Sequence, residues 1–165
     1  MHGLVRASRD RGTPTELLQS VCAEVMTMED LNSTCERLRS MGAGDAVDWL
    51  FENFPPDDPS YGFVFDVIPR ISWRRGDQDR LARYYLKGMP FASGRVYVAL
   101  SKIMSLEKFL RVAEECMPKI GGDIEFVFYY LIPALDVHIK SESHRALVND
   151  FVSKYLGKLG EGWPR

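Results

Sequence analysis

The side chains with most chemistry to offer are three histidines and three cysteines, and their spacing assigns them little of it. Asp136, His138 and His144 are close enough in the chain to make a metal site conceivable. A helix break expected between the two histidines works against it, and a satisfied surface or hinge histidine is the simpler reading. His2 stands in the basic stretch at the start of the chain. Cys22, Cys35 and Cys116 match no zinc or redox spacing, and each falls on the apolar side of an expected helix. That predicts reduced, buried thiols of the kind a cytoplasmic protein carries. Met41-Gly42-Ala43-Gly44-Asp45 precedes a helix as a phosphate loop does, but it lacks the third glycine, the lysine and a leading strand. Ser93-Gly94 reads as a helix cap, and the adjacent Glu114 and Glu115 point to different parts of a helix surface. No catalytic constellation, cofactor or metal site emerges. The expectation is a binding protein rather than an enzyme.

Charge is the informative pattern. The net charge of -2 conceals two opposed blocks. Residues 41–69 hold six acids (Asp45, Asp48, Glu52, Asp57, Asp58, Asp66) and no lysine or arginine, whereas residues 70–119 hold eleven bases against five acids. At helical spacing Asp45, Asp48 and Glu52 share one face, opposite Val47, Leu50, Phe51 and Phe54. Trp49 falls beside the acids. An indole flanked by carboxylates, extended by Asp57 and Asp58, is the candidate surface for one basic protein partner. The alternative site is the basic segment Arg74, Arg75, Arg80, Arg83 and Lys87, with Trp73 and Tyr84 interleaved, which has the make-up of a nucleic-acid grip. If the two segments are neighbours in the fold, their charges satisfy each other instead.

The elements that must position these residues are helices. Thr13-Pro14-Thr15-Glu16 has the form of a capping box, with Pro14 suited to the first helical position. Leu17, Leu18, Val21, Cys22 and Val25 then recur at helical spacing. Thr27 caps a second helix, striped by Leu31, Cys35 and Leu38. Further helices are expected over residues 45–54, 59–69, 77–87, 94–104, 105–117, 123–133 and 142–159, nine in all, separated by Gly, Pro and Asp turns. Residues 95–100 are ambiguous between helix and strand. Residues 123–133 are apolar nearly all round, which places them in the centre of the core. The longest apolar run, residues 126–135, is far short of the ~18 residues that cross a bilayer. The N-terminus has no apolar stretch of secretory type. The expected organisation is a flexible basic head over residues 1–12, one helical domain over 13–160, and a short tail over 161–165.

A faint repeat runs through this pattern. Phe63-Val64-Phe65 with Pro69 is echoed by Phe126-Val127-Phe128 with Pro133. Half of that offset is about 32 residues, within the range of helical solenoid repeats. A proline late in a first helix, a short turn and an amphipathic second helix resemble HEAT repeats over about 100 residues. The resemblance implies an all-α fold of antiparallel helix pairs in a right-handed α-α superhelix, and a compact helical bundle is the alternative. In size and architecture alone, the chain also resembles the small helical immunity proteins of bacterial toxin systems. That implies an inhibitor covering a basic toxin, with a general adaptor or a nucleic-acid binder as the alternatives.

Overall fold

The structure, a computed structural model, describes residues 26–42 and 44–159. Among them the chain is all-α, with eight α-helices and no strand. They are α1 (Met28–Ser40), α2 (Asp45–Asn53), α3 (Val64–Val67), α4 (Arg75–Leu86), α5 (Arg95–Lys102), α6 (Leu106–Cys116), α7 (Gly121–Asp136) and α8 (Glu142–Ser153). Short 3-10 turns cover Tyr61–Phe63, Ile68–Arg70 and Leu156–Lys158. The count is therefore eight rather than nine; the helix expected over residues 13–25, the head, Cys22 and the tail lie outside the described residues. No helix among the described residues is long and apolar enough to cross a membrane.

Local chemistry explains most boundaries. The Thr27 hydroxyl accepts from the Asp30 N–H at 3.2 Å, and the Asp30 carboxylate accepts from the Thr27 N–H at 2.7 Å. This capping box starts α1. Ser105 and Ser141 likewise accept from the N–H of Lys108 and His144, each three residues on. Gly44 turns the chain into α2 at φ +88°, a conformation that a side chain strains. The ambiguous residues 95–100 are helical because Val96, Tyr97, Ala99 and Leu100 all become buried.

Two expectations about proline need correction. Residues 59–69 are not one helix: a single α-helical turn, α3, lies between two 3-10 turns. Pro69 has no N–H for the Phe65 carbonyl, and its ring crowds that carbonyl, so the last turn tightens. Pro133, by contrast, does not end α7, which runs on to Asp136. The carbonyl it leaves without a donor belongs to Tyr129, on the exposed side where water reaches it. Residues 142–159 also divide, with α8 stopping at Ser153 before the last 3-10 turn.

The helices pack in two rows. One row is α1 on α3, α3 on α5 and α5 on α7; the other is α2 on α4, α4 on α6 and α6 on α8. Contacts of α5 with α4 and α6 join the rows around one contiguous apolar core. Cys35 is buried in it as a free thiol, and Cys116 is free and half-buried at the end of α6. The helix expected at the centre of the core, α7, instead ends its row. Ile124, Val127, Phe128, Leu131, Ala134 and Leu135 are buried, but Phe126 and Tyr129 remain 41% and 67% exposed. A helix packed against α5 on one side and against Phe151 and Tyr155 on another still cannot bury an apolar surface that runs all the way round it.

Candidate binding groove and the charged helix faces

The second row brings the two charge blocks together. Asp48 on α2 forms an ion pair with Arg80 on α4, and Arg83 on α4 pairs with Glu115 on α6. Lys154, just beyond α8, reaches Glu114 at 2.6 Å. The first two pairs each join residues 32 apart, the spacing the sequence repeat predicts. All are partly exposed, so each contributes about 0–1 kcal/mol and none of them builds the row. The contacts beside them do: buried Tyr85 donates to the Phe54 carbonyl at 3.1 Å, and half-buried Tyr84 stacks on Phe51 at 3.8 Å between ring centroids.

Of the acidic candidates, Asp45, Glu52 and Asp57 are exposed and carry no ion pair among the described residues. Asp48 is shared with Arg80. Trp49 is half-buried, with the Arg37 guanidinium 4.8 Å from its ring centroid and the Phe54 ring edge-on at 5.9 Å. Asp58 has a local task, since its carboxylate accepts from both the hydroxyl and the N–H of Ser60. Those bonds hold its carboxyl below the usual range, the hydroxyl contributing most. Only Asp45, Glu52 and Asp57 are thus unencumbered, and Asp58 lies not with α2 but on the lining of a groove along the first row.

The basic candidates are more heavily engaged. Arg80 is paired as above, and Arg83 also holds Asp79 at 3.2 Å. Burial raises the Asp79 carboxyl, but the Arg83 hydrogen bond and the Lys108 and Arg83 charges outweigh it and leave the group lowered. The carbonyl of Arg75 accepts from the Lys108 ammonium. The side chains of Arg74, Arg75 and Lys87 stay exposed. Both described histidines are half-buried: His138 Nε2 lies 2.9 Å from the Ser101 hydroxyl, and His144 Nδ1 lies 2.9 Å from the His138 carbonyl. Asp136, His138 and His144 do not converge, and no three His, Cys, Asp or Glu side chains among the described residues form a metal-binding group.

A concavity lies elsewhere among the described residues. A groove of about 1250 Å³ opens along the first row, between the start of α1, the segment around α3, and α5. Leu31, Phe63, Phe65 and Ala99 make an apolar floor, with Met28 and Val98 on the walls. Arg70 and Lys102 stand on its rim without a side-chain ion pair among the described residues, Arg95 is neutralised by Asp66 at 2.6 Å, and the Asp58 carboxylate, held by Ser60, adds one negative charge to the lining. The segment between α1 and α5 is α3 with a 3-10 turn directly on either side, over residues 61–70. Sequence reasoning did not find it. The available signal was Pro69, whose missing N–H and ring disturb the end of a helix over the preceding residues.

Compared with known protein families, with curated proteins and with solved structures, the chain matches none.

Proposed function

We propose that this chain is a protein-binding module whose two rows of helices form a HEAT-like superhelix. Its groove along the first row takes an apolar segment of a partner flanked by acidic residues. The groove itself carries this reading: it has a buried aromatic and aliphatic floor and two uncommitted cations on its rim. Apolar anchors in a floor of that kind supply most of the binding free energy, and rim charges select and orient the partner. The two-row stacking at a spacing of 32 residues supports the repeat architecture, in which side-by-side helices leave extended grooves for partners.

The test is selection of peptides from a random display library on the immobilised chain, repeated on two variants with unchanged melting points. Val98→Lys places an ammonium in the groove and should abolish recovery of an apolar-anchored, acid-flanked peptide family. The variant neutralised at Asp45, Glu52 and Asp57 should recover the same family. Equal recovery by the Val98→Lys variant and the parent would refute the groove as the site.

A second reading keeps the acidic face of α2 as the site, covering a basic protein in the manner of an immunity protein. What favours it is that Asp45, Glu52 and Asp57 remain exposed and unpaired among the described residues, with Trp49 beside them. Under that reading the same selection returns basic peptides, and the neutralised variant loses them while Val98→Lys does not.

A further inference from the structure

The groove along the first row lies where the described chain begins. Met26, Thr27, Met28 and Leu31, at the entry to α1 and in its first turn, form one of its walls. Thr27 caps α1 with an extended backbone, φ -85° and ψ 168°, so the chain ahead of it turns off the helix axis instead of prolonging it. Met26 and Leu31 hold the positions, one before the cap and four after it, whose side chains pair in a hydrophobic staple. That pairing fixes the angle at which the preceding chain enters. Both residues line the groove, so residue 25 joins the described chain at its wall.

Residues 13–25 lie outside the described residues, but their sequence has the make-up the groove calls for. Leu17, Leu18, Val21, Cys22 and Val25 fall within one apolar arc at helical spacing. Glu16 and Glu24 fall outside that arc, and the stretch holds no lysine or arginine. Leu31, Phe63, Phe65 and Ala99 offer it an apolar floor. On the lining, Arg70 and Lys102 have no side-chain ion pair among the described residues and outnumber the one carboxylate that no base pairs, Asp58. An apolar stripe edged by two acids thus meets an apolar floor edged by two bases. Val25 is bonded directly to Met26, so no linker dilutes the segment, and its effective concentration at the groove is on the order of millimolar or higher.

We propose, taking the groove as the binding site, that residues 13–25 of the free chain dock in it as an amphipathic helix. A partner's acid-edged apolar segment then binds by displacing them. The chain carries its own competitor, and the apparent affinity for the partner falls by the fraction of molecules whose groove is already filled.

Two measurements on the full chain test this. In pulsed alkylation read at each cysteine by mass spectrometry, Cys22 should react at least about tenfold more slowly in the native protein than in urea, because the docked stripe shields its thiol. The protection should not change over a dilution series, as a contact within one chain requires. Val98→Lys, which places an ammonium in the groove, should return Cys22 to the unfolded rate while Cys35, buried in the core, stays protected. In a binding titration, a labelled peptide of residues 13–25 should bind the double variant Leu18→Asp, Val21→Asp at least about tenfold more tightly than the wild type, because the variant's groove is vacant. Cys22 that reacts at the unfolded rate in the native wild type overturns the proposal. So does protection that survives Val98→Lys, or that fades on dilution, the mark of a second copy's segment in the groove. Equal affinity of the peptide for the two chains overturns it as well. Any of these results, with peptide selection still abolished by Val98→Lys, leaves the groove a partner site without an internal occupant. Selection that Val98→Lys does not alter removes the groove itself.

Discussion

Removing one oxygen atom measures how firmly the second row is joined. Tyr85 is 1% exposed, and its hydroxyl donates to the Phe54 carbonyl at 3.1 Å, the residue where α2 ends. Tyr85→Phe keeps the ring and its edge-on contact with Phe65 at 5.4 Å. It leaves a carbonyl beside a buried ring with one partner fewer. A hydrogen bond of this kind contributes about 0.5–1.5 kcal/mol, and an unsatisfied buried acceptor costs about 1–3 kcal/mol. The expected loss is about 1–2 kcal/mol, which for a chain of this size lowers the melting temperature by roughly 2–8 °C. Urea unfolding should show a lower midpoint with an unchanged slope. Tyr84→Phe is the internal control. Its hydroxyl lies 3.4 Å from the Phe51 carbonyl on a half-buried surface, so its removal should change stability by less than about 0.5 kcal/mol. Equal and negligible losses in both variants would refute the claim that a buried hydroxyl bond couples α2 to α4. Burial also raises the Tyr85 hydroxyl well above the ordinary tyrosine value of 10.0, with Tyr84 adding to the shift. Stability from that source is complete below pH 10.0 and falls as the pH rises further, because only the unfolded chain ionises there. Tyr85→Phe should flatten part of that alkaline decline.

Two further predictions concern the junction between α7 and α8 and the entry to α2. Burial lowers the proton affinity of His138, and the charges of Lys140, Lys102 and His144 lower it further. The folded state therefore favours the neutral imidazole of His138 more than the unfolded chain does. Its contribution to stability is complete above the ordinary histidine value of 6.5 and diminishes as the pH falls below it. Melting temperatures between pH 7.5 and 5 should fall in the wild type and fall less in His138→Gln; identical slopes would remove His138 as the source. Gly44→Ala should destabilise by at least about 1 kcal/mol in urea unfolding, because φ is +88° there and a methyl group strains that conformation. Its nearest non-local neighbour, the Arg80 side chain, lies 3.7 Å from the new carbon, so backbone strain rather than crowding is the cause. No loss of stability would refute it.

The sequence by itself determined what depends on neighbours within a turn or two of the chain. Thr27, Ser105 and the striped Leu31, Cys35 and Leu38 acted as read, because caps and apolar periodicity are set by groups three or four residues apart. Proline was only half legible. The missing N–H at residues 69 and 133 is the same, but whether the helix continues depends on what packs against the residues beyond it. Ala134 and Leu135 have buried positions to fill, and Arg70 does not.

The two charge blocks were legible as blocks, and their mutual pairing was one of the outcomes the sequence allowed. Only the tertiary structure decided it, by setting Asp48 against Arg80 across 32 residues. The groove was not legible. Its wall residues come from segments tens of residues apart that say nothing of one another. The exposed side of α7 lay hidden for a related reason. An apolar helix reads the same in sequence whether neighbours cover all its sides or only some, and how much is covered is set by its place at the end of the row.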